Sequence, residues 1–360
     1  MLIAAARLQD MISDIFRAAG CSEAESARIA LYLVRSNLAG HDSHGVVRVP
    51  RYLDLLRTGD LFRDRELEII SRSDALAIVD GGYGFGQTVG PLAVELGIGM
   101  AEAAGTAIVA LRHAGHLGRI GEWAEMAAAA GLASVHFVNV AGSMLVAPFG
   151  GVDRRFSTAP FAAGFPVPGE APIVLDFATS AIAEGKVLVA ANGGKPIPPD
   201  SLITPAGDLS GNPDTLYGPP TGGPRMAKNG AGAIRAFGEH KGSGLALFCE
   251  LLAGALTGSG CAGPGERRFA NGMLSIYMAP AHFGSPEAFS AETRGFIDFV
   301  KSARPATPGG EVLVPGEPEA RIRAERSNNG IPLPDEVWAS LSEAARAAGL
   351  SPDTYGSHPA

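Results

Sequence analysis

"ALAIVDGGYGFGQTVG" occupies residues Ala75 to Gly90 and predicts a strand, a glycine-rich turn and the start of a helix in direct succession. The run Ala75–Val79 is short, apolar and bounded by turn residues, as a buried strand is. Gly84, Gly86 and Gly90 follow with the spacing GxGxxxG, whereas the dinucleotide-binding fingerprint has GxGxxG or a close variant. The stretch therefore predicts either a pyrophosphate-binding turn or a turn that contains glycine because its backbone needs positive φ.

The next strand, "TAIVAL" (Thr106–Leu111), bears on this choice. It lacks the acidic residue with which the fingerprint holds the ribose. Arg112 and His113 follow it instead, and an arginine there would favour a 2′-phosphate. In the second interpretation the turn only leads into a helix whose first residue lies near Gln87. From the residues alone, both interpretations stay open.

Around this stretch, strand-like apolar runs alternate with alanine-rich helical patterns, which predicts a central α/β domain. Before it, Ser22 and Glu25 have capping-box spacing at the start of a helix that Gly40 ends. Residues 192–238 are rich in glycine and proline ("NGGKPIPPD", "GPPTGGP") and predict a long irregular connection. "GSGLALFCELLAGALTG" (242–258) predicts an apolar helix buried on most sides, and further helices close the chain.

Composition narrows the classes of protein. The chain has 360 residues, 46% of them hydrophobic and 18% charged, so a globular fold of two or three lobes is expected. The formal charge of −8 disfavours nucleic acid and anionic membranes as partners. Cys21, Cys249 and Cys261 have no metal or redox spacing, and neither a secretory signal nor a bilayer-spanning stretch is recognised. We therefore expect a soluble protein of the reducing cytoplasm.

A polar turn with two histidines is the strongest candidate for chemistry. "GHDSHGVVRVPRY" places His41, Asp42, Ser43 and His44 between two helical segments, where Ser43 is expected to cap the following helix. Arg48 comes four residues after His44, so both side chains are expected on one face. A capped helix start with a solvated histidine fits the same residues. A metal pair of His41 and His44 also fits, although no third ligand has a supporting spacing.

Three further turns carry polar side chains. His116 lies at the end of a strand, where ligands gather in α/β sheets, although local backbone satisfies a single histidine equally well. Asp176 ends another strand, and Thr179 and Ser180 are expected to open a helix after it. Lys241 stands before glycines at the start of the apolar helix. Hydroxyls, a lysine and free N–H groups at helix N-termini suit a diphosphate, but helix capping alone also explains the hydroxyls.

Together these stretches resemble the malate/L-lactate dehydrogenase family that is unrelated to the Rossmann-fold lactate dehydrogenases. The resemblance runs in order over nearly the whole chain, through "DSHGVVRVPRY", "DGGYGFGQ", "HAGHLGRIGEWAEMAAAAGL", "VAPFGG", "PIVLDFATSAIAEGKV", "HKGSGLALFCELLAGALTG" and "PGEPEARIRAERSNNGIPLP". "VHFVNV" followed by "VAPFGG" is most similar to the hydroxycarboxylate dehydrogenase branch. The resemblance implies that "DGGYGFGQ" is a scaffold turn and that the cofactor does not use a Rossmann fingerprint.

The resemblance implies reversible hydride transfer between NAD or NADP and a 2-oxo or 2-hydroxy acid, by a homodimer with the active site near the subunit contact. Other family members reduce cyclic imines, oxidise ureidoglycolate or act on sulfolactate. The implied fold is α/β with α+β character: a non-Rossmann cofactor domain with a mostly antiparallel sheet, plus a helical lobe from both chain ends. We expect the helical substrate and dimer lobe in residues 1–70 and 320–360, the cofactor domain in 71–238 and 264–319, and a small buried helical portion in 239–263.

The same resemblance assigns the substrate site. His44 or His116 is implied as the acid/base, a role that suits a group titrating near neutrality, and His116 also as a substrate contact. Arg48 is implied as the clamp for the substrate carboxylate, because a guanidinium holds both oxygens at once. Ser43 is expected to hydrogen-bond the reacting oxygen, and Tyr52 to line the pocket.

The cofactor site is also assigned by resemblance. Asp176 is expected either to orient a histidine or to bind the cofactor through its turn, and no metal is expected. The residues implied at the cofactor are Asn139, Asp176, Phe177, Ala178, Thr179, Ser180, His240, Lys241, Gly242, Gly316 and Glu317.

Two motifs depart from the family pattern. Ala159 stands where relatives commonly carry the asparagine of Thr-Asn-Pro, and Ser243 replaces a tyrosine in the lysine motif. These changes concern substrate identity and cofactor preference more than reaction class.

Two other classes of function stay open. The first is a non-catalytic ligand-binding relative, which the intact histidine, arginine and lysine positions disfavour. The second is a metal-dependent hydrolase using His41 and His44.

Overall fold

The computed structural model describes residues 1–220, 225–265 and 267–356. The strands are β1 (Leu2–Ile3), β2 (Glu68–Arg72), β3 (Leu76–Asp80), β4 (Thr106–Ala114), β5 (Ala133–Ala141), β6 (Pro160–Phe165), β7 (Ile173–Ala178), β8 (Leu202–Ile203), β9 (Leu209–Ser210), β10 (Ala233–Ile234), β11 (Ala270–Met278) and β12 (Ile331–Pro332). The helices are α1 (Ala5–Ala18), α2 (Glu23–Leu38), α3 (Val49–Thr58), α4 (Gly86–Ala104), α5 (Gly121–Ala129), α6 (Glu184–Ala191), α7 (Asp214–Tyr217), α8 (His240–Cys249), α9 (Pro286–Lys301), α10 (Glu317–Asn329) and α11 (Asp335–Ala347).

Seven strands of the described residues form the central sheet, in the order β2-β3-β4-β11-β5-β6-β7. Neighbouring strands run antiparallel, except for β3 and β4, which are parallel and connected by α4. A Rossmann sheet consists of parallel strands with crossover helices. The sheet therefore confirms the expected non-Rossmann, mostly antiparallel domain, and α4 and α5 pack on it over an apolar core.

The stretch from Ala75 to Gly90 forms β3, a tight turn and the start of α4. The turn has left-handed backbone at Gly82 (φ +54°) and Tyr83 (φ +56°). Helix α4 begins at Gly86, next to the expected start. At Gly86 the helix touches the turn that follows β4, because an added Cβ would lie 2.2 Å from the carbonyl oxygen of His116. Glycine is required here for the close approach of two backbones.

A helical lobe from both chain ends forms a second apolar core, as expected. Helices α1, α2, α3 and α11 contribute to it, and β1 pairs with β12, which ties the two ends together. The Ser22 hydroxyl accepts a hydrogen bond from the N–H of Glu25 at 3.2 Å, so the predicted helix cap is confirmed. Phe16 packs edge-on against Phe85 at 5.6 Å, which joins this lobe to the turn before α4.

The expectation of an irregular connection over residues 192–238 is wrong in part. Strands β8, β9 and β10 form a small sheet of their own, and α7 lies beside them. Leu202, Leu216 and Ile234 are completely buried in a separate apolar cluster. Glycine and proline mark the many turns between these short elements, and so conceal their apolar pattern in the sequence. Residues 221–224, part of "GPPTGGP", lie outside the described residues.

The apolar helix predicted from residues 242–258 is α8, continued by a π-helix over Glu250–Leu256. One side packs on the sheet through Ala246, Cys249 and Ala253. The other side is open, with exposed fractions of 46% at Leu247, 57% at Phe248, 48% at Leu251 and 65% at Leu256. Burial on most sides is therefore wrong for the single chain, because the sheet covers only one side.

Among the described residues, no helix has the length and apolar character to cross a bilayer.

We expect Gly86→Ala to destabilise the fold by about 1–3 kcal/mol, the usual cost of forcing volume into a packed site. The new methyl group would meet the His116 carbonyl at 2.2 Å, and backbone cannot rotate away. Gly99→Ala in the same helix is the matched control, since an added Cβ there meets nothing within 4 Å. Helix propensity predicts that the control gains about 0.5–1 kcal/mol. Denaturant unfolding measures both variants, and equal stabilities would contradict the close approach.

Candidate active site

The loop between α2 and α3 is fixed by Asn37, a buried residue near the end of α2. Its side-chain oxygen accepts the N–H of Val46 at 2.9 Å, and its amide nitrogen donates to Asp42 at 2.6 Å. An added Cβ at Gly45 would lie 2.1 Å from the Asn37 oxygen, so the loop packs directly on this amide. Pro50 stands in the first turn of α3, where no backbone donor is needed. The loop backbone is therefore well supported.

Ser43, His44 and Arg48 form one contact group on this loop. The Ser43 hydroxyl lies 3.1 Å from Nδ1 of His44, and Nε of Arg48 donates to the Ser43 carbonyl at 2.6 Å. The terminal nitrogens of Arg48 make no hydrogen bond or ion pair with the described residues. Ser43 was expected to cap the following helical turn, and this expectation is wrong. Its side chain faces His44 instead.

His116 comes from the turn after β4 and lies against the same loop. Its imidazole stacks on that of His44, with ring centroids 5.5 Å apart and an angle of 13° between the planes. Its Nδ1 atom lies 2.7 Å from the hydroxyl of Tyr52 on α3. Nε2 of Gln87, on α4, donates to the same hydroxyl at 3.1 Å. Both histidines are half-buried, whereas Tyr52 and Gln87 are buried. The two histidines and Tyr52 thus share one site.

Both imidazoles are neutral at physiological pH. Burial lowers the pKa of His44 and of His116 well below the usual 6.5, and the positive charge of Arg48 lowers both pKa values further. A neutral imidazole can accept a proton at one nitrogen or donate a hydrogen bond from the other. The nearby guanidinium meanwhile attracts an anion.

A buried group of charged side chains around Arg119 lies behind the histidines. Arg119 is 3% exposed and lies 2.8 Å from Glu125 and 3.6 Å from Asp176. Burial raises the pKa of Asp176, while His41 and Arg119 act in the opposite direction. Within the described part of the chain, Asp176 makes no hydrogen bond to a histidine. The structure thus places this carboxylate against an arginine rather than in a histidine relay.

The turn after β7 does not open a helix at Thr179 and Ser180, contrary to expectation. The Thr179 hydroxyl donates to the carbonyl of Ala159 at 3.0 Å, and Ser180 forms a β-bridge with Ala236. This pairing keeps the segment extended, so α6 begins only at Glu184. The two hydroxyls therefore hold the turn together and do not cap a helix.

The start of α8 combines two exposed polar side chains with backbone N–H groups that are partly occupied. The N–H groups of Lys241 and Gly242 donate to the carbonyls of Gly238 and Phe237, at 3.2 and 2.9 Å. These two N–H groups are therefore already occupied within the turn. The side chains of Lys241 and His240 are exposed, and Lys241 has no ion-pair partner among the residues described.

Close approaches connect these turns into one region. An added Cβ at Gly185 would lie 3.1 Å from the Cβ of Ser43, so the first turn of α6 lies against the histidine loop. The ring of Phe237, just before α8, packs edge-on against Phe177 of β7 at 5.2 Å. The loop between α2 and α3, which carries both Ser43 and His44 and is called the histidine loop, therefore lies in one region with the end of β7 and the residues just before α8.

The remaining residues expected at the cofactor lie deeper or farther along the chain. Asn139 is completely buried, and its amide nitrogen donates to Glu250 at 3.0 Å. Ala178 is the last residue of β7. Gly316 (φ +96°) precedes α10, and the Glu317 carboxylate accepts the N–H of a nearby backbone group at 2.9 Å. Asn139 thus supports the sheet, whereas Gly316 and Glu317 form the start of α10.

The two departures from the family pattern have local structural roles. Ala159 is buried with φ +25°, a left-handed backbone that asparagine adopts more readily than alanine. The hydroxyl of Ser243 accepts the N–H of Phe149 at 2.9 Å. Both residues therefore shape the backbone next to the turn after β7 and the start of α8.

Three residues that the sequence did not single out complete the site: Asn37, Gln87 and Arg119. Asn37 holds the histidine loop, Gln87 binds the Tyr52 hydroxyl and Arg119 binds Asp176. Each is a polar residue within a mostly apolar or glycine-rich stretch. That signal is weak, since a single polar residue in a helix is more often exposed than buried.

The described residues contain no group of three or more His, Cys, Asp or Glu side chains able to hold a metal ion. His41 lies 3.5 Å from Glu319 on α10, whereas His44 faces Ser43. The two histidines of the alternative metal pair therefore have different partners.

Two stacked imidazoles beside a guanidinium bring together the groups that a bound anion and an exchange of protons require. This combination suits an oxidoreductase that acts on a carboxylate. The sheet that carries it excludes the Rossmann class.

Comparison with known proteins identifies the family. The malate/L-lactate dehydrogenase family model matches residues 3–342. Hydroxycarboxylate dehydrogenase B of Escherichia coli O157:H7 is 40% identical over 352 residues, which cover 96% of this chain and 94% of that protein. L-sulfolactate dehydrogenase of Methanocaldococcus jannaschii is 33% identical, with 96% of each chain covered. A solved E. coli structure assigned as a malate/lactate dehydrogenase has a TM-score of 0.91 at 39% identity, covering 99% of this chain and 97% of that one.

The chain belongs to the malate/L-lactate dehydrogenase family. It is therefore a dehydrogenase, and membership of this family implies a nicotinamide cofactor.

The lowered pKa values predict an unusual pH dependence. In the direction of substrate oxidation the base must be neutral in the free enzyme, and kcat/KM reports its pKa there. Because the folded pKa lies below the ordinary one, the base stays neutral as the pH falls through 6.5. We expect kcat/KM for oxidation to stay level down to about pH 6 and to fall only below it. Steady-state rates between pH 5 and 9, roughly the range in which histidine titrates, measure this. A half-maximal rate at pH 6.5 would contradict it.

Proposed function

We propose that this chain reversibly transfers a hydride between NAD or NADP and a small carboxylic acid, interconverting a 2-oxo acid and a 2-hydroxy acid. The observation that carries the proposal is the stacked pair of neutral imidazoles, His44 and His116, beside Arg48. Reduction of a ketone needs a proton donor next to the forming alkoxide, and oxidation needs the same group as a base. A carboxylate beside that ketone needs a cation, which Arg48 supplies.

Arg48 binds the substrate carboxylate in this proposal. Its Nε atom is held by the Ser43 carbonyl at 2.6 Å, so the guanidinium keeps one orientation. The two terminal nitrogens are left for a bidentate pair with the carboxylate. The bound carboxylate offsets the charge of Arg48 and so raises the pKa of the neighbouring histidines again. Substrate binding therefore prepares the site for proton exchange.

The two histidines act on the substrate oxygen. A nicotinamide held by the segments assigned below would supply the hydride that the carbonyl carbon takes up in reduction and would accept it in oxidation. One imidazole exchanges the proton with the substrate oxygen, and the other donates a hydrogen bond to it. Ser43 stands beside His44, and Tyr52 supports His116 from the interior.

The residues present fit a nicotinamide cofactor by their chemistry. Lys241 and His240 expose groups that bind phosphate, and the rings of Phe177 and Phe237 offer apolar surface nearby. We assign cofactor binding to the segments Asp176–Ser180 and His240–Gly242, with Gly316 and Glu317 at the start of α10. Asn139 acts indirectly, through the sheet backbone that it holds.

A substrate panel tests the proposed function. Purified protein is mixed with NADH or NADPH and, separately, with pyruvate, oxaloacetate, sulfopyruvate, oxalurate or a cyclic imino acid, and the absorbance of the reduced nicotinamide is followed. We expect 2-oxo acids to consume the cofactor fastest, and a chelator to leave the rate unchanged. The proposal fails if no arm consumes cofactor, or if only the imine arm does. The same panel decides between NAD and NADP.

We further propose a homodimer that works in the cytoplasm. The three cysteines of the chain are free thiols, which suits a reducing compartment. The open side of α8 and its π-helix carries Leu247, Phe248, Leu251 and Leu256, and a second copy of the chain would cover it. Its position next to the start of α8 agrees with the family resemblance, in which the active site lies near the subunit contact.

Sedimentation velocity tests the proposed dimer. We expect the wild type to sediment as a dimer and Leu251→Asp as a monomer, because burying an unpaired carboxylate in an interface is unfavourable. Leu209→Asp is the matched control, since Leu209 is 57% exposed on a different element, strand β9. A dimeric Leu251→Asp protein would place the interface elsewhere.

We expect Arg48→Lys to lower kcat/KM for the best substrate by about ten-fold or more, or about 1.4 kcal/mol of transition-state stabilisation. Lysine keeps the charge but offers a single point donor, so the carboxylate is no longer held by two parallel hydrogen bonds. Cofactor affinity should change little, because cofactor binding is assigned to other segments. Steady-state kinetics and cofactor titration measure both effects. Full efficiency in Arg48→Lys would place the carboxylate clamp elsewhere in the chain.

A further inference from the structure

Three hydrogen-bonding groups from three elements form a chain that ends on His116. Gln87 of α4 is 1% exposed and Tyr52 of α3 is 2% exposed, so neither is hydrogen-bonded to bulk water. Nε2 of Gln87 lies 3.1 Å from the Tyr52 hydroxyl and 3.3 Å from the backbone oxygen of His116. The Tyr52 hydroxyl in turn lies 2.7 Å from Nδ1 of His116.

The backbone oxygen of His116 determines which groups are donors and which are acceptors in these hydrogen bonds. That oxygen only accepts hydrogen bonds, so the amide atom of Gln87 beside it must be the nitrogen. The opposite amide orientation would place two acceptors against each other in a buried site, which is costly. The Gln87 nitrogen therefore donates to the Tyr52 oxygen as well as to the His116 carbonyl.

The single hydrogen of Tyr52 is thereby directed at His116. Burial raises the pKa of Tyr52 to about 12, so the hydroxyl keeps its hydrogen at neutral pH. Because its oxygen already accepts from Gln87, its hydrogen points to Nδ1 of His116 at 2.7 Å. A neutral imidazole carries one hydrogen, and Nδ1 is occupied as an acceptor, so that hydrogen must be on Nε2.

His44 has no comparable constraint. Its Nδ1 atom lies 3.1 Å from the Ser43 hydroxyl, and either atom can be the donor. Among the described residues, the Ser43 hydroxyl has no other hydrogen-bond partner. It can therefore turn to donate or to accept, and His44 can change tautomer at little cost. A residue that exchanges protons needs this freedom.

We infer that Gln87 and Tyr52 are positioning residues that fix the Nε2–H tautomer of His116, so that His116 donates a hydrogen bond to the substrate oxygen while His44 exchanges the proton. This inference rests on the proposed function for its catalytic part, but the tautomer follows from the fold alone. In reduction, a hydride from the reduced nicotinamide would form the new C–H bond while the electron pair of the carbonyl π bond moves to the substrate oxygen. That oxygen takes a proton from His44 in its protonated form, which the carboxylate bound to Arg48 favours, and His44 becomes neutral again. Solvent then returns a proton to His44.

The N-terminus of α4 is suited to this role. Gly86 precedes Gln87 and lets the helix approach the His116 carbonyl so closely that an added Cβ would lie 2.2 Å from it. The same approach brings the Gln87 amide within reach of that carbonyl. The glycine-rich turn thus contributes to the site by positioning a side chain, although it does not have the dinucleotide spacing.

The tautomer can be measured without substrate. Protein labelled with ¹⁵N at histidine is observed by long-range ¹H–¹⁵N correlation, in which the protonated and bare ring nitrogens have different shifts, and His116→Gln identifies the signals. We expect His116 to show one neutral Nε2–H form in the wild type at neutral pH. Gln87→Leu frees the Tyr52 hydroxyl, so both tautomers should appear. Thr88→Val is the matched control. It removes a buried hydroxyl from the same turn of α4, but that hydroxyl does not belong to the hydrogen bonds that link Gln87, Tyr52 and His116.

Two glutamine substitutions test the division of roles. Glutamine cannot exchange a proton, so His44→Gln should lower kcat by about a hundred-fold or more. His116→Gln still offers an N–H near the position of Nε2 and should lose no more than about ten-fold. Gln87→Leu should lower kcat with KM nearly unchanged, whereas Thr88→Val should alter neither.

The readouts separate the possible failures. An Nδ1–H form of His116 in the wild type, or an unchanged single tautomer in Gln87→Leu, would overturn the inference. So would a loss in His116→Gln as large as that in His44→Gln. If the wild type consumed no cofactor with any acid, the proposed function would fail, while the spectrum would still decide the tautomer.

Discussion

The close approach of α4 to the turn after β4 is the constraint on which the site depends. Gly86 and the His116 carbonyl leave no room for a side chain between them, as the 2.2 Å distance of an added Cβ shows. This contact fixes His116 relative to the helical lobe, because Phe85, one residue earlier, packs on the ring of Phe16 at 5.6 Å. One contact between two backbones thus joins the core of the sheet, the core of the lobe and the histidine between them.

Charge and burial act together on the two histidines. Without substrate, Arg48 and the surrounding protein keep both imidazoles neutral. In the proposed function, a carboxylate bound to Arg48 would offset the charge of Arg48 and leave the effect of burial. The affinity of His44 for a proton is therefore coupled to the presence of an anion, in the same way that any two charges a few ångströms apart share their titration. A ligand without a negative charge would bind without this effect.

Much of the fold and the site could be predicted from the sequence, and the exceptions have physical causes. The Ser22 cap, the start of α4 near Gln87 and the shared position of His44, Arg48 and His116 depend on local spacing or on the family resemblance, and the structure confirms them. The extended segment at Thr179 could not be predicted, because its pairing partner lies more than fifty residues later, at Ala236. The open side of α8 was also missed, since an apolar sequence does not tell whether its own chain covers it. The role of the Gln87 side chain was missed for a similar reason, because it depends on contacts with helix α3 and with the turn after β4.

A group of charged side chains around Arg119 connects the helical lobe to the sheet. Arg35 of α2 lies 2.8 Å from Glu122, Arg323 of α10 lies 2.9 Å from Glu125, and Arg119 lies 2.8 Å from that same Glu125. With Asp176 included, three arginines face three carboxylates, so the group is close to neutral. Buried ion pairs add little net stability, because removing charges from water costs about as much as their attraction returns. Removing Arg119, whose side chain is 1% exposed, is much more costly, about 3–5 kcal/mol, because Asp176 is left buried without an arginine beside it. Such a group therefore disfavours any arrangement in which α2 or α10 is shifted relative to α5. The histidine loop follows α2, and the turn that carries His116 precedes α5. The same charges therefore help to keep the two histidines next to each other.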